Sequence, residues 1–471
     1  VSALSNSRTR LIIAVVVVAI VIGVVAFQFL STQKPSTPTP AGFTLVILTR
    51  HDTTIWEGFE GPFLASDFAK QNGVTDIEWL QPDASFWKQV IERGDKPVDV
   101  AWGGGPTLFD QLVRDNLLSP LDDPSLLQTV DGISDTIGGA PMKRKDASGQ
   151  IVWVAAAISS FGFTVNHDFL RRYNLPAPQK WEDLASVEYA KLLPTASISM
   201  GNAPQTTSNT RIYEIILQAF GWEKGWSIMA RMAGNSQIYS GSVETQQAVE
   251  IGEVGVGMSI DFYGYTTQLR NPSTEYVLPE GQSIINGDPI ALAKSTQHEQ
   301  AAQAFINFVL SPEGQSLWLS EKVNRMPVRA EAFQTELGKK RPDLERVYQK
   351  TIANIGIPFE DPLALSYEAS IRTYFQAVFT DAHAELVAAW KAIVEAKTAG
   401  RMNDQQFEQL ATQLGAPVKW TQEGKEYAFT LEYAQSINSQ LLSDAAFSNM
   451  MLSIWRNAAI TMYNQILSQL S

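Results

Sequence analysis

The sequence predicts a two-lobed α/β fold, preceded by an apolar N-terminal helix and followed by an α-helical C-terminal segment. Three observations lead there. From Phe43 onward, short apolar runs alternate with stretches of helical spacing, the pattern of a largely parallel sheet covered by helices on both faces. A second alternating unit begins near Phe161, after which the chain returns to a strand-like run at Pro289–Ala293, so that one unit interrupts another. At 471 residues the chain also exceeds what a single core organises.

The first element is Leu11–Leu30 (LIIAVVVVAIVIGVVAFQFL), 20 residues with no charge, long enough as a helix to cross about 30 Å of hydrocarbon. Arg8 and Arg10 precede it and favour an orientation with the N-terminus inside. With Val1 as the first residue, the pattern resembles class III signal peptides, which archaeal binding proteins share with type IV pilins; a retained helix is then expected over residues 1–30. Residues 31–41 (STQKPSTPTPA) are expected to form a semi-rigid stalk, extended by its prolines.

Strands are expected at Phe43–Leu48, Asp76–Leu80 and Val98–Trp102, with helices at Trp56–Lys70, Ala84–Arg93 and Thr107–Arg114. Two further strands are read at Ile151–Ile158 and Gly162–Asn166. The second unit contributes helices at Thr210–Phe220 and Val243–Ile251 and a strand at Val254–Ile260, and the returning strand is followed by a helix at Glu299–Leu310. This divides the chain into lobe 1 (42–160 and 280–335), lobe 2 (161–279) and a helical segment (336–471), with two crossover strands joining the lobes. In the last segment Tyr367–Ala396 and Phe429–Leu470 carry aromatics at helical spacing, and Asn403 is an expected N-cap with Gln406 three residues on.

Bulk composition narrows the function. Hydrophobic residues make up 45% and charged residues 18%, a globular balance. A net charge of −13 argues against a nucleic-acid partner, which needs a basic face. The absence of cysteine removes disulfides, thiolate metal sites and cysteine nucleophiles. The four histidines (His51, His167, His298, His383) are scattered, so no metal site is expected. Neither G-x-S-x-G, H-E-x-x-H nor a Walker loop occurs, so no catalytic residue, enzyme activity or cofactor is expected.

Several stretches in order carry a family resemblance: VDVAWGGGP at Val98–Pro106, NLLSPLDD at Asn116–Asp123, FGFTVN at Phe161–Asn166, WEDL at Trp181–Leu184, Ser208-Asn209-Thr210 before a helix ending GWEKGW, GEVGVGMS at Gly252–Ser259, and AAQAFINFVLSPEGQ at Ala301–Gln315. Over about Phe43–Pro327 the chain resembles extracellular solute-binding proteins of ABC importers, of the class that includes ferric-ion, thiamine and aminoethylphosphonate binders. The resemblance implies a type II periplasmic-binding-protein-like fold, a small-molecule ligand between the lobes, and ABC permease subunits that recognise the closed form. It implies an extracellular head at the cell surface, anchored in the membrane through Leu11–Leu30. A pilin-like filament, a homopolymer packed through the same helix, is the second reading. The C-terminal helices are not covered by the resemblance.

Candidate ligand residues follow from where ligands lie in such sheets, beyond the carboxyl ends of the strands. His51 and Asp52 follow the first strand. Gly103, Gly104 and Gly105 follow the third, either as a tight turn or as a site for an anionic group, with Trp102 beside them as a stacking face. Ser208, Asn209, Thr210 and Arg211, and likewise Gly241 and Ser242, stand at helix starts that cap the helix or cradle an anion. Asp261 and Tyr263 follow a strand at a crossover. A carboxylate with tyrosines suits ferric iron, but Gly264 separates Tyr263 from Tyr265, and Asp261 pairs equally well with a ligand ammonium. Iron, a phosphonate, a polyamine, a sugar and a peptide fragment all remain open.

Overall fold

A computed structural model describes residues 42–470; the apolar run Leu11–Leu30 and the stalk Ser31–Ala41 lie outside the described residues. Among the described residues no helix is long and apolar enough to cross a membrane.

Lobe 1 opens with β1 (Phe43–Thr49), α1 (Thr53–Ala65), β2 (Val74–Leu80), α2 (Trp87–Arg93), β3 (Val100–Trp102) and α3 (Pro106–Arg114). β1 pairs in parallel with both β2 and β3, placing Ile47 beside Trp79 on one side and Val100 on the other. Ile47 and Val100 are fully buried, as strands of a doubly covered parallel sheet must be.

The chain then leaves lobe 1 along β4, a single strand of 16 residues (Ile151–Asn166), buried from Val152 onward. Sequence reading expects two strands here, broken at Ser159-Ser160-Phe161. The strand continues because its hydroxyls find partners: the Ser160 amide and hydroxyl both donate to Asp261 Oδ2, at 2.9 and 3.2 Å.

Lobe 2 contains β5 (Ile198–Gly201), α4 (Thr207–Phe220), α5 (Trp222–Gly234), β6 (Ser236–Tyr239), α6 (Ser242–Glu250), β7 (Val256–Ile260), α7 (Asp261–Arg270) and β8 (Thr274–Val277). The chain returns through β9 (Ile285–Ala293), antiparallel to the first half of β4, and continues into α8 (Glu299–Leu310). The strand order is β6-β5-β7-β4-β9-β3-β1-β2. Each lobe thus has three parallel strands in the order second, first, third, bordered by an antiparallel strand, β9 in lobe 1 and β4 in lobe 2. The two crossover strands, β4 and β9, lie side by side at the centre of the strand order.

The segment after residue 335 is divided between the lobes. Pro342–Ala353 packs Leu344 and Tyr348 into the lobe 1 core. The helices α9 (Asp361–Phe375), α10 (His383–Thr398), α11 (Asp404–Leu414), α12 (Leu431–Ser443) and α13 (Ala445–Leu470) share one continuous core with lobe 2. Phe375 stacks on Tyr213 at 4.4 Å, and Trp390 Nε1 donates to Asn235 Oδ1 at 2.7 Å. The two stretches with helical spacing, Tyr367–Ala396 and Phe429–Leu470, are helical, the first with a π turn at Gln376–Thr380 and the second with a break between Ser443 and Ala445. A short hairpin, Lys419–Gln422 with Lys425–Ala428, was not anticipated by periodicity.

Candidate functional site

The strands of both lobes direct their carboxyl ends at one cleft, which encloses a cavity of about 700 Å³. The turns after β1, β3, β5, β6 and β7 meet there, each leading into a helix, so helix N-termini from both lobes converge. What distinguishes them is capping. Asp52 caps α1 by accepting from the Ile55 amide at 3.3 Å. The starts of α3 at Gly105, α4 at Thr206 and α6 at Gly241 have no side-chain cap. Their hydroxyls are used otherwise. Thr206 Oγ1 donates to the Asn202 carbonyl and Thr210 Oγ1 to the Ala203 carbonyl, while the Ser208 and Ser242 hydroxyls bond each other at 2.9 Å across the two helix starts. Sequence reading starts this helix at Thr210 and sets Ser208 and Asn209 ahead of it. Instead α4 begins at Thr207, so Ser208–Thr210 lie within its first turn.

Of the expected ligand residues, His51, Asp52, Gly104, Gly105, Ser208, Thr210, Arg211, Ser242 and Tyr263 line the cavity. Trp102, Gly103, Asn209, Gly241 and Asp261 do not. Trp102 is fully buried, edge-on to Phe59 and Trp318, and has no open face for a ligand. Asn209 is buried too, its Oδ1 accepting from the Gly201 amide at 3.0 Å and fixing the turn after β5. Asp261 faces the crossover strand β4: besides Ser160, it accepts from the Phe262 amide at 2.8 Å. Burial pushes its carboxyl up to about 7 in spite of those bonds. Tyr263 lines the cavity, but Tyr265 is buried against Tyr276 at 5.3 Å, so the two tyrosines do not converge on a common ion. Among the described residues no cluster of His, Asp and Glu could hold a metal.

The three glycines have positive φ, +77° at Gly103, +110° at Gly104 and +83° at Gly105. They carry the chain over His51, which is 3% exposed and whose protonation burial depresses to about 4. Asp288, on β9, organises this corner. Its Oδ1 accepts from the Gly104 amide at 3.1 Å, and its Oδ2 lies 3.3 Å from Arg325 and 3.7 Å from His51 Nε2. Arg325 in turn lies over the Phe262 ring of lobe 2 at 4.0 Å, a cation–π contact across the cleft.

Sequence reasoning missed Arg50, Lys88, Asp288, Arg325, Glu368 and Arg372, all of which line the cavity. Arg50 adjoins His51 and Asp52 and could have been read with them. Asp288 stands in the Asn286-Gly287-Asp288-Pro289 run that opens the returning strand, a polar interruption of an apolar element. Glu368 and Arg372 come from α9, beyond the region of family resemblance, and no local signal marks them.

Most carboxylates of the cavity hold internal partners. Asp115 pairs with Lys88 at 3.4 Å, Glu214 with Arg211 at 3.2 Å and Glu368 with Arg372 at 3.5 Å, while Asp52 caps α1 and Asp288 holds Gly104 and Arg325. Burial pushes Glu214 up to about 7, against the pull of Arg211. The starts of α3, α4 and α6, which lack a side-chain cap, border the same cavity, and helix N-termini favour negative charge.

Comparison with known proteins agrees with this geometry. The family model described as bacterial extracellular solute-binding protein matches residues 64–346, well over half of the chain. The phosphoglycerate transport regulatory protein PgtC of Salmonella typhimurium is 26% identical over 329 residues, 69% of this chain and 75% of its own. Among solved structures, an ABC transporter protein from Clostridium perfringens superposes with a TM-score of 0.53 at 19% identity, covering 71% of this chain and 99% of the other. PotD, the spermidine/putrescine ABC transporter substrate-binding protein of Streptococcus pneumoniae, superposes with a TM-score of 0.52 at 18% identity, covering 71% and 98%. At these identities the structural likeness speaks for the fold alone. The family match, together with a two-lobed α/β fold closed around one cleft, shows that the chain belongs to the bacterial extracellular solute-binding protein family, whose members bind solutes and are not enzymes.

Proposed function

We propose that the protein captures a small organic anion, a phosphorylated or carboxylated acid, between its lobes and delivers it to an ABC-type importer. The observation that carries this is the meeting of three uncapped helix N-termini, those of α3, α4 and α6, from opposite lobes at one cavity. An anion bridging them gains from both lobes only when the cleft is closed, which is how a solute selects the closed form. A cationic solute finds no such support, because the lining carboxylates named above already hold internal partners. The name of the Salmonella relative, a phosphoglycerate transport regulatory protein, points to the same class of solute.

Isothermal titration with 3-phosphoglycerate, inorganic phosphate, spermidine and sucrose tests the reading. Binding of a phosphate-bearing solute, weakened at least tenfold by Ser208→Asp, is expected, since a carboxylate at an uncapped helix start repels the anion. Spermidine binding without phosphate binding would overturn it. The head is further proposed to be tethered through Leu11–Leu30, on the strength of that run's length and lack of charge. Fractionation of expressing cells should place the protein with membranes, and surface filaments seen by electron microscopy would replace the tether with a polymer.

A further inference from the structure

Asp361 occupies an unusual place. It is the first residue of α9, outside the span matched by the family model. Its carboxylate accepts from the Thr107 hydroxyl, in the first turn of α3 in lobe 1, and from the Arg211 guanidinium on α4 in lobe 2. Those two groups belong to opposing uncapped helix starts. The approach to Asp361 is fixed on lobe 2. Phe359 lies against the Arg211 guanidinium at 4.1 Å, and the Gln218 side chain clamps Glu360 by accepting from its amide at 2.8 Å and donating to its carbonyl at 3.1 Å. Since α9 shares the lobe 2 core through the Tyr213–Phe375 stack, the bond to Thr107 carries the charge at the start of α9 across the cleft.

We infer that Asp361 is an internal counter-anion: in the solute-free protein it takes the place of a solute carboxylate or phosphate group and latches the lobes together through Thr107 and Arg211. This rests on the anionic-solute reading for its link to binding, and on the contacts alone for the latch. An entering anion competes with Asp361 for Arg211 and for the start of α3, so the latch raises the threshold for weak anions and favours those that also engage α6 and Arg325. Glu214, on the other side of Arg211, keeps the guanidinium in position while the exchange takes place.

The sequence has no cysteine, so a lobe 1 label at Lys145→Cys and a lobe 2 label at Lys224→Cys report a single distance by electron paramagnetic resonance. Without solute, Asp361→Ala and Thr107→Val are each expected to lengthen and broaden that distance relative to the unsubstituted protein. Thr107→Val does so while leaving the Arg211 contacts intact, which separates a lost latch from a damaged lobe. An unchanged distance in both variants overturns the latch. In calorimetry with 3-phosphoglycerate, Asp361→Ala should bind about tenfold more tightly, the worth of one charge-assisted bond no longer contested; weaker binding overturns the counter-anion role. If neither protein binds 3-phosphoglycerate or inorganic phosphate, the anionic-solute reading fails, and the distances still decide the latch.

Discussion

At Gly103 a side chain would have to fit where none can. A Cβ built there lies 2.6 Å from His51 Nε2, at a φ of +77°. Gly103→Ala should therefore destabilise lobe 1 by about 2 kcal/mol, combining left-handed strain with displacement of His51; urea denaturation measures it. His51 itself makes a pH prediction. Burial lowers it from 6.5 to about 4. Above pH 6.5 both folded and unfolded chains hold the ring neutral. Between 6.5 and about 4 the unfolded chain alone takes the proton, so stability falls as pH falls, and below about 4 the effect levels off. The stability gap between the unsubstituted protein and His51→Asn should shrink by ~3 kcal/mol across that window. A gap constant with pH would mean that the ring is charged or wet at neutral pH. Both residues could be picked out from the sequence, since each follows a strand end. Asp288, which bonds Gly104 and lies beside His51, shows in the sequence only as a polar interruption of an apolar run, because its partners Gly104 and Arg325 are brought to it by the crossover and not by sequence proximity.

Among the elements, those governed by local chemistry were legible and those governed by tertiary contact were not. The helix Glu299–Leu310 has the bounds that its spacing predicts. The capping box at Asn403 is present in both directions, with Gln406 N–H donating to Asn403 Oδ1 at 2.8 Å and Asn403 N–H to Gln406 Oε1 at 2.9 Å. Asn403→Ala should cost about 1 kcal/mol, and Asn403→Ser much less, readable as a shift in the urea midpoint. By contrast β4 reads as two strands, because two serines inside an apolar run look like a turn until Asp261 is seen to satisfy Ser160. The same limit applies to the start of α4. Hydroxyls ahead of a helix suggest a cap, whereas here they bind neighbouring carbonyls and one another, leaving the helix start to the cleft.

For the molecule as a whole, the α-helical C-terminal segment decides what counts as a folding unit. Read from the sequence it is an appendage to a two-lobed binding protein, and the family match ends at residue 346. In the fold it completes lobe 2. Tyr374 packs against Trp226 at 4.8 Å, Phe429 lies near Trp222 at 5.4 Å, and a Cβ on Gly234 would meet Trp390 at 2.7 Å, so α5 and α10 touch too closely for any side chain between them. Removing residues 359–471 would strip Trp226, fully buried Ile216 and their neighbours of cover, leaving an apolar face on lobe 2 larger than soluble monomers carry. The truncated head should then bind a hydrophobic dye strongly, lose cooperative melting of lobe 2 and associate in size-exclusion chromatography, while lobe 1, whose core draws on Leu344 and Tyr348 and not on α9–α13, keeps its own transition. A truncated head that stays monomeric and melts once, at the temperature of the full chain, would show that lobe 2 is complete without the helices, and the latch through Asp361 would then belong to an accessory layer and not to the lobe itself.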